Sequence, residues 1–326
     1  MIVRPRTHWF RMLFAWENSV QNTILVALAI IVALSLAAVW GYRRSDAFFL
    51  CLSPVPFSLI GVALAIFASF RNNACYERYW EGRKQWGVLT ATTRDLARYV
   101  VTVPRLDDAL SSATGAHPAS DAAHPGSPHP DARHLVMLLT AFVQVLKHQL
   151  RGTDPAGALR TLLGEAQAAE IMRLAYRPHS LLMRVQRQMT AWHRDGRIGD
   201  ILLATGLAHL DTLTQAAGAC ERIRTTPVPY PYEVLLHRTT YFYCVLLPFG
   251  LVESTGWATT VVSVFIAYAF LALHTIGGEL EDPFGQDAND LPLDALAIHI
   301  ERAMREALGD DAWPPVPVPD ARHRLD

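Results

Sequence analysis

Apolar runs long enough to cross a bilayer recur near both ends of the chain and frame a mixed middle. Residues 20–42 carry no charge, with TILVALAIIVALSLAAVW at their centre, and a spanning helix needs about twenty such residues. Arg43, Arg44 and Asp46 interrupt that run, and a second uncharged stretch covers 47–70. Pro54 and Pro56 stand near its start, with Ser53 before them as a candidate cap. Proline fits a first helical turn and disrupts a later one, so a helix is predicted to begin around these two prolines. The membrane pattern returns at 239–252 (TTYFYCVLLPFGLV) and again in STGWATTVVSVFIAYAFLAL, with 253–256 as the turn of a helical hairpin.

The middle has a different rhythm. Segments such as HLVMLLTAFVQVLKHQL and IGDILLATGLAHLDTLTQAAGACERI repeat apolar residues every three or four positions, the pattern of amphipathic helices in a bundle. Residues 107–131 are rich in Ala, Ser, Pro, His and Asp and read as a flexible surface insertion. After the fourth apolar run come an acidic, turn-rich stretch, an amphipathic helix and a proline-rich tail expected to be extended or disordered.

Charge sets the orientation. Arg4, Arg6 and Arg11 precede the first run, Arg71, Arg78, Arg83 and Lys84 follow the second, and His237 and Arg238 precede the third. Only Arg43 and Arg44 oppose them, so the positive-inside rule places both termini and the helical block in the cytoplasm. The amphipathic N-terminal segment lacks the short apolar core and cleavage site of a signal peptide. Over 326 residues the net charge is −1, which gives no sign of a nucleic-acid partner. Cys51, Cys75, Cys220 and Cys244 have no paired spacing and read as small apolar residues.

No catalytic signature occurs. His117, His124, His129 and His134, in or beside the insertion, suit either weak metal binding or a solvated loop. The second run is more informative. Gly61, Ala65 and Ser69 form a small-residue ridge that lets helices approach closely, and Val62, Ile66 and Phe70 form a bulky stripe beside it. Such a stripe either packs within one subunit or, repeated around an axis, makes an apolar tube that gates ions by dewetting. Asp282, Asp287 and Asp290, in ELEDPFGQDANDLPL, suit either calcium or a turn that starts the next helix.

Five blocks in order, RPRTHWFRMLFAW, PFSLIGVALAIFASFRNNACYERYWEGRKQWG, LKHQLRGTDP, CERIRTTPVPYPY and ELEDPFGQDANDLPL, resemble the bacterial branch of the bestrophin channel family over nearly the whole chain. The resemblance implies an all-α integral membrane protein with four transmembrane helices and a large cytosolic helical domain, assembled as a homopentamer around a central pore. It places the hydrophobic neck at Val62, Ile66 and Phe70, with Gly61, Ala65 and Ser69 packing helices there. It places a cytosolic aperture at Ile201, in GRIGDILL. It requires no cofactor, and it sets Asp282, Asp287 and Asp290 at the positions of a calcium clasp, although Ala288 and Asn289 depart from the acidic run of animal members.

The expected layout is a cytosolic segment 1–19, spans and neck in 20–70, the cytosolic helical domain in 71–231, further spans in 232–278, an acidic loop and helix in 279–309, and a disordered tail in 310–326. The expected partners are the lipid bilayer of the bacterial inner membrane, four further copies of the chain and permeating monovalent ions, with no nucleic acid. An apolar neck carries no charge to choose an ion. The bacterial resemblance leans to cations such as sodium; a chloride channel of the same build and a membrane-anchored scaffold without flux are the alternatives, and a histidine-based enzyme ranks last.

Overall fold

The computed structural model describes residues 1–3, 10, 21–44, 52–113 and 129–326. Most of the N-terminal segment, the opening of the second apolar run, Cys51, and residues 114–128 of the insertion with His117 and His124 lie outside these. Among the described residues the fold is all-α, with a single β-bridge between Ile2 and Arg324.

The first apolar run is α1 (Gln21–Arg44). The second opens α2 (Pro54–Ala113), which begins at the predicted proline and continues without a break for 60 residues, about 90 Å at 1.5 Å per residue. The helix thus leaves the apolar layer at Arg71 and runs on through the polar block. It also takes in residues 107–113, which the sequence assigns to the insertion. The block is completed by α3 (Pro130–Arg151), α4 (Ala156–Leu163), α5 (Glu165–Met172), α6 (Arg177–Arg194) and α7 (Asp200–Thr225). Then come α8 (Tyr230–Thr255), α9 (Ala258–Glu281) and α10 (Leu293–Ala307).

Four helices, namely α1, the start of α2, α8 and α9, are long and apolar enough to cross a membrane. The α8–α9 hairpin turns at Gly256, whose φ of 54° favours glycine. Pro248 lies inside α8, where it has no N–H to give the preceding turn. The carbonyl of Phe249 beside it accepts from the Leu52 N–H at 3.2 Å, tying the approach to α2 against this span.

Two cores follow the two environments. Ile24, Phe57, Leu64, Leu247 and Leu271 join α1, α2, α8 and α9. A larger cluster gathers Trp86, Leu89 and Leu96 of α2 with Phe142 of α3, Trp192 of α6, Leu213 of α7 and Ile300 of α10. Charged pairs tie its edge: Asp294 of α10 receives both Lys147 and Arg151 of α3. Burial opposes ionisation of Asp294, but these two cations outweigh it and hold its carboxyl below the usual range.

The tail, expected to be extended or disordered, is extended and held in place. Val3 N–H donates to the His323 carbonyl, Leu325 N–H to the Met1 carbonyl, and the terminal ammonium to the Leu325 carbonyl. Arg302 stacks on Trp313, and Arg151 pairs with Asp326. The order comes from partners at the far end of the sequence, which local composition does not contain.

Candidate functional site

The membrane half of α2 packs by one narrow stripe. Phe57, Leu64, Arg71 and Cys75 are buried, at helical spacing, against α8 and α9. Val62 and Ile66 each lie two residues from Leu64, about 200° around the helix, so they face away from that stripe. They are 62% and 50% exposed, and Phe70, on the flank, is 67% exposed. Only 11% of the most apolar window of this span is buried, less than in any of the other three spans. The bulky stripe therefore does not pack within the chain.

The small ridge splits. A Cβ at Gly61 would stand 2.7 Å from the Tyr243 hydroxyl, so this glycine serves the seating of α8 on α2 in the same chain. Ala65 and Ser69 are exposed. Phe70 also borders an apolar cleft of about 580 Å³ between α2 and α8, lined by Phe67, Tyr232 and Leu235. Ile201 sits in the first turn of α7, after Gly199, and is 82% exposed. The Tyr99 hydroxyl donates to the carbonyl of Leu202, which fixes Ile201 near the level of Tyr99. That is 29 residues beyond Phe70, about 44 Å along α2.

Arg71 is the feature that the sequence reading missed. It enters there only as a topogenic charge, yet its side chain is buried. Its Nη1 donates to the His274 carbonyl at 3.0 Å and its Nη2 to Glu281 Oε2 at 3.3 Å, both on α9. Glu281 also accepts from the Val228 N–H through Oε1, at 3.1 Å. Arg78, two turns further along α2, donates to the Glu281, Ile223 and Thr226 carbonyls. A Cβ at Gly277 would collide with the Asn72 amide, so glycine lets α9 close on this junction. Where the bulky stripe ends, α2 is thus locked to α9 and to the end of α7. The available signal was Arg71 at the end of the second apolar run and the acidic residues Glu279, Glu281 and Asp282 after the fourth.

The acidic loop forms a turn. Asp282 pairs with Arg224 at 2.8 Å, and Asn289 donates to Glu279 at 2.7 Å. Asp290, 3% exposed, accepts the Asp287 N–H at 2.7 Å. Burial, aided by the charges of Asp287 and Asp282, pushes its carboxyl up to about 6. Among the described residues no group of three or more His, Cys, Asp or Glu is placed to hold a metal ion. His129 serves as the cap of α3, accepting the Asp131 N–H. Cys75, Cys220 and Cys244 are free and buried, as small apolar residues are.

Residues 1–306 match the family described as Bacterial/Fungal Bestrophin protein. The chain is 41% identical to the voltage-dependent anion channel-forming protein RSc3414 of Ralstonia nicotianae, over 95% of both chains. It is 34% identical to the voltage-dependent anion channel-forming protein YneE of Escherichia coli strain K12, over the whole of both. A crystal structure of a bacterial bestrophin homolog from Klebsiella pneumoniae superposes with a TM-score of 0.77 at 37% identity, covering 89% of this chain and all of the other. The Ralstonia and Escherichia relatives are named as channel-forming proteins, not enzymes, and the cation lean finds no support in their names. The chain is a membrane protein of the bestrophin family.

Proposed function

We propose that this chain is an anion channel, passing chloride and similar monovalent ions, and that five copies surround an axis lined by Val62, Ile66 and Phe70. One observation carries the reading: the membrane half of α2 keeps an apolar stripe opposite the face by which it packs in its own chain. Repeated around an axis, that stripe makes a narrow dry neck, where ions pass only when water enters. The exposed Ile201 of α7, level with Tyr99 far down α2, supplies the second constriction, with a vestibule between the two. Ala65 and Ser69, exposed in their own chain, are open to a neighbouring copy.

Two features favour anions over cations. The relatives carry an anion channel in their names. The first turn of α2 holds no acidic residue, so the positive end of its dipole favours an anion there. The paired termini, which contact Arg151 and Gln286, lie on the side of the helical block. Together with the basic flanks, this supports a cytoplasmic location for both ends, in a bacterial inner membrane. Calcium is no part of the reading, because Arg224 already neutralises Asp282 and Asp290 turns onto its own loop.

The test is a reversal potential in planar bilayers under a potassium chloride gradient. Reversal near the chloride equilibrium potential is expected, and reversal near that of potassium would restore the cation reading. Silence from a folded, pentameric preparation would favour the scaffold.

A further inference from the structure

Two of the blocks that carry the family resemblance, LKHQLRGTDP and CERIRTTPVPYPY, play no part in the neck. In the fold they converge on a cavity of about 760 Å³ within the helical block. The end of α3 brings His148 and Gln149, α7 brings Glu221 and Arg222, and the entry to α6 brings Tyr176 and Arg177. The volume falls within the range of small-molecule sites, about 300–1,000 Å³, which combine an apolar lining with a few convergent polar groups. Val145, Pro155 and Leu174 supply the lining here.

Most of the polar groups are already matched to one another. Gln149 donates to Glu221 at 2.6 Å, and His148 Nδ1 bonds the Thr153 hydroxyl at 2.7 Å. Burial, with Lys147 nearby, holds the His148 imidazole below its ordinary pKa, so it is neutral at pH 7. The unspent capacity is cationic. Arg177 gives Nη2 to the Met172 carbonyl, while its Nε is buried without an acceptor. Arg222 is exposed and hydrogen-bonds none of the described residues through its side chain. Two guanidinium groups thus border the cavity beside one carboxylate that Gln149 already engages, while Glu81 lies near Arg222 in the adjoining cleft. The phenol ring of Tyr176 stands open at the rim.

The geometry points to a binding site for a small organic oxyanion, its carboxylate or phosphate held by Arg177 and Arg222 and its apolar body laid against Tyr176, Leu174 and Pro155. Arginine suits both head groups, because its planar fork matches their oxygens. The site is separate from the neck, and its occupancy can be read without ion flux.

Isothermal titration of the purified full-length protein tests it, with benzoate, phenyl phosphate and neutral benzamide as probes. At least one of the two oxyanions is expected to bind saturably, and the stronger of them identifies the head group. Benzamide is expected to bind at least about tenfold more weakly. Arg222→Gln and Tyr176→Ala, both at exposed positions, are each expected to weaken the oxyanion severalfold. Arg222 also borders a neighbouring cleft with Trp80 and Lys84, so Lys84→Gln serves as a control and should leave affinity unchanged. The proposal is overturned if neither oxyanion saturates or benzamide binds equally well. It is also overturned if both substitutions leave affinity unaltered, or if Lys84→Gln weakens binding as much as they do.

Discussion

The two halves of α2 are one continuous helix with opposite fates. In the polar half, Trp86, Leu89, Thr93, Leu96 and Val100 form an unbroken stripe with no exposed surface, covered by the block around it. In the membrane half the buried stripe is narrow, and Val55, Leu59, Val62 and Ile66 stand uncovered. In water such a patch marks an interaction surface. In a bilayer, lipid or another copy covers it without a hydrophobic penalty. The covered half therefore holds the fold, and the uncovered half is left for lipid or another copy to cover.

The sharpest way to break this contrast is one truncation in each half. Trp86→Ala should cost about 3–5 kcal/mol, the range for large-to-small changes in a packed core, read as unfolding in detergent. Val62→Ala should cost less than about 0.5 kcal/mol in the same assay, as surface changes do. Equal costs would mean that the bulky stripe is packed after all. Next in size is the boundary between the halves. Glu281→Gln leaves the Arg71 charge buried with no carboxylate partner and should cost about 3 kcal/mol. It should also loosen α9, seen as faster amide exchange around residue 277.

Smaller effects refine the membrane half. Gly61→Ala places a methyl against the Tyr243 hydroxyl and should cost about 1–2 kcal/mol, as overpacking does. Adding Tyr243→Phe should recover part of that loss, whereas Ala65→Gly, at an exposed site, has no such partner. No recovery would show that Gly61 answers to a different contact.

The smallest effect lies in the acidic loop. Between about pH 4 and 6 the folded chain holds a proton on Asp290 that the unfolded chain releases, because its carboxyl is raised from 3.8 to about 6. That contribution to stability is fullest below about pH 4 and is lost as pH rises through about 6. Asp290→Asn keeps an acceptor for the Asp287 N–H and removes the titration. It should flatten this slope and raise stability at pH 7, measured as unfolding temperature against pH. An unchanged slope would assign the pH response to another group.

Much of this arrangement was legible in the sequence, for definite reasons. The spans, the start of α2 at Pro54 and the hairpin turn at Gly256 depend on local composition and turn chemistry, which the sequence carries in full. The separation of Val62 and Ile66 from Leu64 also follows from helical geometry. Which face would be covered did not follow, because that depends on α8 and α9, far along the chain. The Arg71–Glu281 pair spans 210 positions, and periodicity holds no trace of it. The ordered tail escaped for the same reason: its partners are Met1 and Val3. Gly61 was grouped with Ala65 and Ser69 by spacing alone, and only Tyr243 separates it from them.

The most direct test of the central claim is single-channel current through Ile66→Ala and Phe70→Ala in planar bilayers. If the uncovered stripe of α2 lines the neck, both substitutions widen and wet it, and conductance or open probability rises severalfold above the parent protein. Unchanged currents in both, from folded assemblies of unchanged size, would place the stripe against lipid and the pore elsewhere.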